Sequence, residues 1–247
     1  MGISEKTNFY NKRVLITGAA GGLGSSLCKN FHAAGASIIA ADRDADGLER
    51  LASGLGQQCE THIYDQSDLG SMNELAGLIG DIDVLVNNAG ALLVKPLVES
   101  SPQDISNLVN IDLVGPMVLT HLIAPRMIAR NSGVIMNISS QLAFCGAEGR
   151  SVYAAAKAGL SQFTKSCAAE FGPAGVRVLA IAPGRLLTPM STTLGTPEAY
   201  KAGIARVPVG RYGTPEEIAD IVLFLCSPAC DYIVGETIIA DGGYVIG

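Results

Sequence analysis

Tryptophan is absent from the 247 residues, and histidine occurs only at His32, His62 and His121. Charged side chains make up just 16% of the chain, with no basic cluster, and the net charge is −6. A nucleic-acid binder needs a basic stripe, so that class is excluded. The six cysteines (28, 59, 145, 167, 226 and 230) are dispersed and form no C-x-x-C. With so few histidines they complete no ligand set, and no metal is expected. Their apolar or alanine-rich surroundings suit buried free thiols in a reducing compartment. Apolar runs such as "IVLFLC" are too short to cross a bilayer, and the polar start "MGISEKTNFYNKR" has no apolar signal region. Gly2 fits a myristoylation motif, but Lys6 stands where that motif wants Ser or Thr. A soluble, cytoplasmic protein is expected, with neither nucleic acid nor membrane as partner.

What the chain has is apolar material, at 48%, and 29 scattered glycines, which argue for many tight turns. Short runs rich in Val, Ile and Leu occur at 13–18, 36–42, 59–65, 83–90, 133–140, 176–184 and 236–243. Lacking clean alternation, they read as seven strands buried on both faces of a parallel sheet. Helical patterns lie between them, among others at 23–34, 111–130, 151–171 and 215–226. This β-α-β rhythm predicts an α/β fold, a doubly wound seven-stranded parallel sheet with helices on both faces. No linker or repeat interrupts it, so residues 1–247 are expected to form one domain. Longer irregular segments fall near 91–101 and 185–211, and the stretch 185–209 is expected to form a lid over a substrate.

In "VLITGAAGGLGSSL", Gly18, Gly22 and Gly24 follow the first strand and open the first helix, with Leu23 among them. Glycine permits a tight turn and close approach of a pyrophosphate, and the helix N-terminus supplies N–H donors. Asp42 ends the second strand, where a carboxylate accepts both hydroxyls of an adenosine ribose and repels a 2′-phosphate. Its plainer role is capping the next helix. Arg43 beside it could instead welcome that phosphate, so NAD is favoured and NADP stays as the alternative. Asp65, ending the third strand, is placed to meet the adenine edge or to serve as an N-cap for the helix starting near Asp68.

The stretch "SVYAAAKAGL" places Tyr153 and Lys157 four residues apart, hence on one helix face. A cation one turn away favours the ionised form of a phenol. With "TGAAGGLG", "NNAG" (87–90), Asn110, a serine-rich fifth strand end and "PGRLLT" (183–188) in the same order, the chain resembles the short-chain dehydrogenase/reductase family from about residue 9 to its end. The resemblance implies a Rossmann fold with Tyr153 as proton-transfer residue and Lys157 as the cation that tunes it and bonds the nicotinamide ribose. It places the catalytic serine thirteen residues before the tyrosine, at Ser140, leaving Ser139 as a strand-end serine capping a loop. Asn110 matches the residue that holds a relay water. Asn87, Ala89 and Gly90 are expected against the adenosine side, though Asn87 and Gly90 could equally tie the central strands together. Thr188 is expected at the nicotinamide carboxamide, and Pro183 and Gly184 around the nicotinamide face.

The function these features imply is NAD-linked interconversion of a secondary alcohol and a ketone. An NADPH-dependent reductase of 3-oxoacyl thioesters on acyl carrier protein is the first alternative; a nucleotide-sensing protein without turnover is the second. The carrier-protein reading wants a basic surface, and near the site entrance only scattered Arg126, Arg130, Arg150 and Arg185 are expected, with no charge cluster in the lid. Arg150 could meet an anionic substrate group or cap its helix. A homotetramer is expected, pairing helices 111–130 and 151–171 around a two-fold axis, with a second contact near the C-terminal strand.

Overall fold

The computed structural model describes residues 6–188 and 197–247. Seven strands, β1 (Arg13–Thr17), β2 (Ser37–Asp42), β3 (Cys59–Ile63), β4 (Val84–Asn87), β5 (Gly133–Ile138), β6 (Val176–Pro183) and β7 (Thr237–Ala240), form one parallel sheet in the order β3-β2-β1-β4-β5-β6-β7. The direction of winding reverses between β1 and β4, which opens a crevice at the strands' carboxyl ends. The expected strands are all present, each shorter at one or both ends than the sequence suggests.

Pleating sends alternate side chains to two cores. Val14, Ile16, Val86, Met136 and Leu179 face one side, packed under α1 (Gly22–Ala33), α2 (Ala45–Leu55) and α8 (Pro215–Cys226). Leu15, Ile39, Leu85, Ile135 and Val178 face the other, under α3 (Leu69–Leu78), α5 (Gly115–Ala129) and α6 (Ser151–Phe171). The expectation of two buried faces fails at β3, whose residues are largely exposed, Ile63 to 63%. This strand lies at the sheet edge, where one flank has no neighbour.

Helix ends follow local chemistry. Thr214 and Glu217 form a reciprocal capping box at the start of α8, with Pro215 at its first position. Ser101 and Asp104 do the same for α4 (Pro102–Val109). The helix expected from 111 therefore begins at Pro102, runs through α4, widens into a π turn over Asn110–Val114 and continues as α5. The whole is long and apolar enough to cross a membrane, yet it packs on α3, α6 and β5 as a core helix. Under it, Asn87 Nδ2 donates to Asn137 Oδ1 and Thr120 Oγ1, and Asn137 Nδ2 donates to Thr164 Oγ1, a fully buried network joining β4, β5, α5 and α6.

Candidate active site

The glycine loop turns from β1 into α1 through Gly18, whose φ of +65° and whose missing Cβ, which would stand 2.8 Å from Ala89 Cα, both require glycine. The N-cap of α1 is Gly21, no side chain caps the helix, and its first turn carries no acidic residue. Its N–H groups and positive dipole end thus face a cleft of about 250 Å³. Gly18, Leu23, Gly24, Asp42, Arg43, Asp65, Ala89 and Gly90 line that cleft. Gly22 sits in the first helical turn without lining it.

Asn87 does not line the cleft: it points into the sheet and serves the strand-tying network described above. Its neighbour Asn88 lines the cleft instead and donates to Thr17 O and Gly18 O at 2.8 and 3.1 Å, bracing the glycine loop. Strand alternation was the signal that separates the two asparagines. Gln66, also unforeseen, spans Ala89 O (2.9 Å) and Ile111 O (2.6 Å).

Asp42 does not cap α2; Asp44 does. Asp42 instead accepts the Ala20 N–H through Oδ2 and the Asp44 N–H through Oδ1, each at 3.0 Å. Four lone-pair sites on a carboxylate leave it capacity for hydroxyl donors. Asp68 is the N-cap of α3, while Asp65 accepts from the Ser67 hydroxyl and N–H, which hold its carboxyl below the usual range. An uncapped helix N-terminus, a glycine turn and a strand-end carboxylate together form a donor and acceptor set that fits a dinucleotide.

A second cavity, of about 260 Å³, opens beside Ser140 and Tyr153. Ser140 is the strand-end serine that caps: its Oγ accepts the Leu142 N–H at 3.2 Å and keeps its proton free to donate. Ser139, expected in that role, is buried and bonds Lys157 O and Ser161 Oγ, fastening β5 to α6. Lys157 is 5% exposed; its Nζ donates to Ile138 O at 3.1 Å and lies 5.8 Å from the Tyr153 ring centroid. Ala156, packed at 2% exposure, lets α6 press against the sheet so closely.

Asn110 is not part of this group. It is neither a helix-start residue nor buried: it opens the π turn, its side chain exposed, and its carbonyl accepts the Gly115 N–H five residues on. The wide turn carries Asp112 inward instead. Asp112 is fully buried, accepts the Ala91 N–H at 2.7 Å through Oδ1, and brings Oδ2, which has no hydrogen-bond partner, to 3.9 Å from Lys157 Nζ. Burial raises its pKa, against the lowering pull of Lys157. The signal in the sequence was one acidic residue in the otherwise apolar "IDLVGPMVL". Gly90, in the cleft wall, lies close to Lys157: a Cβ there would stand 3.4 Å from its Nζ.

Pro183 closes β6, Gly184 donates its N–H to Ala240 O at 2.9 Å and lines the second cavity, and the Thr188 N–H donates to Leu186 O. The expected lid at 185–209 contains a helix, α7 (Pro197–Ile204); residues 189–196 lie outside the described ones. The expectation of scattered arginines without a cluster is corrected by the fold. Arg126 and Arg130 lie away from the cavity, donating to the carbonyls of Ala76, Gly80 and Ile82, with Arg130 paired to Asp81. Arg150 and Arg185 instead meet Arg206 in the cavity wall. Among the described residues no three His, Cys, Asp or Glu side chains are grouped to hold a metal.

Known proteins resemble this chain in sequence and fold. A family described as enoyl-(acyl carrier protein) reductase matches residues 18–245. The 3-oxoacyl-(acyl-carrier-protein) reductase of Thermotoga maritima is 38% identical over 243 residues, covering 95% of this chain and 98% of its own. The L-xylulose reductase of Bos taurus is 35% identical over 239 residues, covering 95% and 96%. A solved 7α-hydroxysteroid dehydrogenase, in complex with NADH and 7-oxoglycochenodeoxycholic acid, superposes with a TM-score of 0.94 at 31% identity, covering 98% of both chains.

Proposed function

Because this chain belongs to the short-chain dehydrogenase/reductase family, oxidoreductases that act on alcohols and ketones with a nicotinamide cofactor, we propose that it interconverts a secondary alcohol and a ketone with NAD. The observation that carries the reading is that Ser140 and Tyr153 line one cavity, with Lys157 Nζ 5.8 Å from the Tyr153 ring centroid and close to Gly90 of the cofactor cleft. The nicotinamide, when bound, accepts or delivers the hydride. Tyr153 takes the hydroxyl proton in oxidation and returns it in reduction. The Lys157 ammonium stabilises charge on the phenol oxygen, and Ser140 donates a hydrogen bond to the carbonyl oxygen, holding the reacting carbon in place. Asp112, in place of the expected Asn110, positions Lys157 from behind.

NAD preference is supported by Asp42, whose carboxylate ends β2 in the cleft wall. A homotetramer is supported by apolar side chains left open in two places: Val114 and Met117 along the long helix, and Ile239, Val234 and Ile246 at the β7 edge and C-terminus. The 3-oxoacyl-thioester reading is favoured by the Thermotoga relative, whereas Arg126 and Arg130, which would serve a carrier-protein surface, already hold backbone carbonyls.

Steady-state kcat/KM for secondary alcohols and for a 3-oxoacyl thioester, each with both cofactors, tests the proposal. Free alcohols or ketones turned over faster, with NAD preferred and the preference reduced in Asp42→Ala, is the expected result. A thioester preference with NADPH would replace it.

A further inference from the structure

Three guanidiniums enter the cavity beside Ser140 and Tyr153, and none meets a carboxylate among the described residues. The other arginines in the protein's interior contacts are satisfied; Arg177, for example, donates to four carbonyls and pairs with Asp231. In the cavity the situation is different. Arg185 donates to Tyr212 Oη at 3.0 Å and lies 5.4 Å from that ring's centroid, and Arg206 lies 4.6 Å from the Tyr244 ring centroid. Aromatic faces fix a guanidinium without neutralising it, leaving edge N–H groups free to donate.

Arg150 occupies the N-cap position of α6, one turn before Tyr153, and its Nη1 is buried without a hydrogen-bond partner. Gln141 Oε1, in the same wall, is buried and unpartnered too. Burial and the nearby Arg185 push the Arg150 guanidinium below its ordinary range, so its charge wants a counter-ion. The N-terminus of the 21-residue α6 adds positive potential at the same place. The Asp241 carboxylate accepts the N–H groups of Gly243 and Val245 and forms no ion pair with these arginines. Buried polar groups are rarely left unmatched, and an orphan donor and an orphan acceptor in one wall call for a ligand that has both an anion and a hydroxyl.

We propose that the substrate is a small hydroxy acid, or the matching oxo acid in reduction, with its carboxylate held by Arg150, Arg185 and Arg206 and a second hydroxyl donating to Gln141 Oε1. The cavity, at about 260 Å³, is below the range for drug-sized ligands and suits a short polar chain. Guanidinium forks match the two oxygens of a carboxylate. The inference rests on the dehydrogenase reading of this same site.

The test compares polyhydroxy acids with their methyl esters and with the hydroxyalkyl phosphates of equal chain length, using NAD and NADP. The acid should exceed its ester in kcat/KM by at least about tenfold, chiefly through KM. In Arg150→Gln and Arg185→Gln that ratio should collapse toward one, while NADH binding followed by fluorescence stays as in wild type. Turnover of esters as fast as acids, or an unchanged ratio in both variants, would overturn the inference while leaving the dehydrogenase reading intact. A phosphate preferred over the carboxylate would overturn the hydroxy acid. No turnover of acid, ester, phosphate or simple secondary alcohol with either cofactor would remove the underlying reading, and the inference with it.

Discussion

Replacing Asp112 by Asn alters one charge and almost no volume, at a place where two opposed energies can be compared. The carboxylate lies 3.9 Å from Lys157 Nζ. At an effective dielectric constant of about 20, that separation is worth about 4 kcal/mol of attraction. Against it stands the desolvation of a fully buried carboxylate whose Oδ2 has no hydrogen-bond partner, a penalty of several kcal/mol. The raised pKa says which wins: burial outweighs Lys157, and the folded protein holds the proton more tightly than the unfolded chain does. Stability therefore falls as pH rises above the ordinary carboxylate range near 4, and the loss is complete once Asp112 has ionised. Asparagine keeps the acceptor for the Ala91 N–H and resembles the neutral acid. Asp112→Asn should thus be more stable than wild type at pH 8 in the cofactor-free protein, since the raised pKa already weighs the Lys157 attraction against burial. For a chain of this length, each kcal/mol gained would raise Tm by about 2–4 °C. Urea denaturation and thermal melts of both proteins from pH 4 to pH 8 provide the assay, with the two converging near pH 4. A variant less stable than wild type at pH 8, or a difference independent of pH, refutes the reasoning and makes the Lys157–Asp112 pair a net stabiliser.

Tyr153→Phe should lower kcat by more than about tenfold while NADH binding is nearly unchanged, because only the proton carrier is removed; retention of a tenth of wild-type kcat would exclude the proton-transfer role. Static light scattering at micromolar concentration should give a mass near four times that of the 25.5 kDa chain. A dimer would retain the helix interface and remove the C-terminal one, and a monomer would remove both.

Element positions were legible because apolar periodicity and capping chemistry agree along most of the chain: Pro215–Cys226 and Ser151–Phe171 run between the residues read from the sequence. Tyr153 and Lys157 could be placed together from their i,i+4 spacing, whereas choosing Ser140 over Ser139 needed the family resemblance, since a strand end alone offers both. What failed depended on direction. Asn87 and Asn88 are adjacent but point to opposite sides of β4, and sequence alone did not say which faced the cleft. Asn110 and Asp112 differ by two positions in a helix whose π turn breaks the regular 3.6-residue count, so the inward position could not be phased. Arg150, Arg185 and Arg206 come from three separate elements, and only their tertiary placement turns scattered charges into a cluster.

The π turn also sets how this gene product can change length. It fits an extra residue into one turn, so deleting a residue within 110–114 would restore a regular helix and leave α4 and α5 in register, with the change confined to the turn between them. Asp104 on α4 holds Lys95, whose N–H donates to the carbonyl of Gly149, the residue before Arg150. With the flanks in register that connection would survive, while Asp112, inside the turn, would be lost or carried off Lys157. A deletion in this turn would therefore strike the lysine side of the site and spare the Arg150 side, a separation that no single substitution outside the turn would produce.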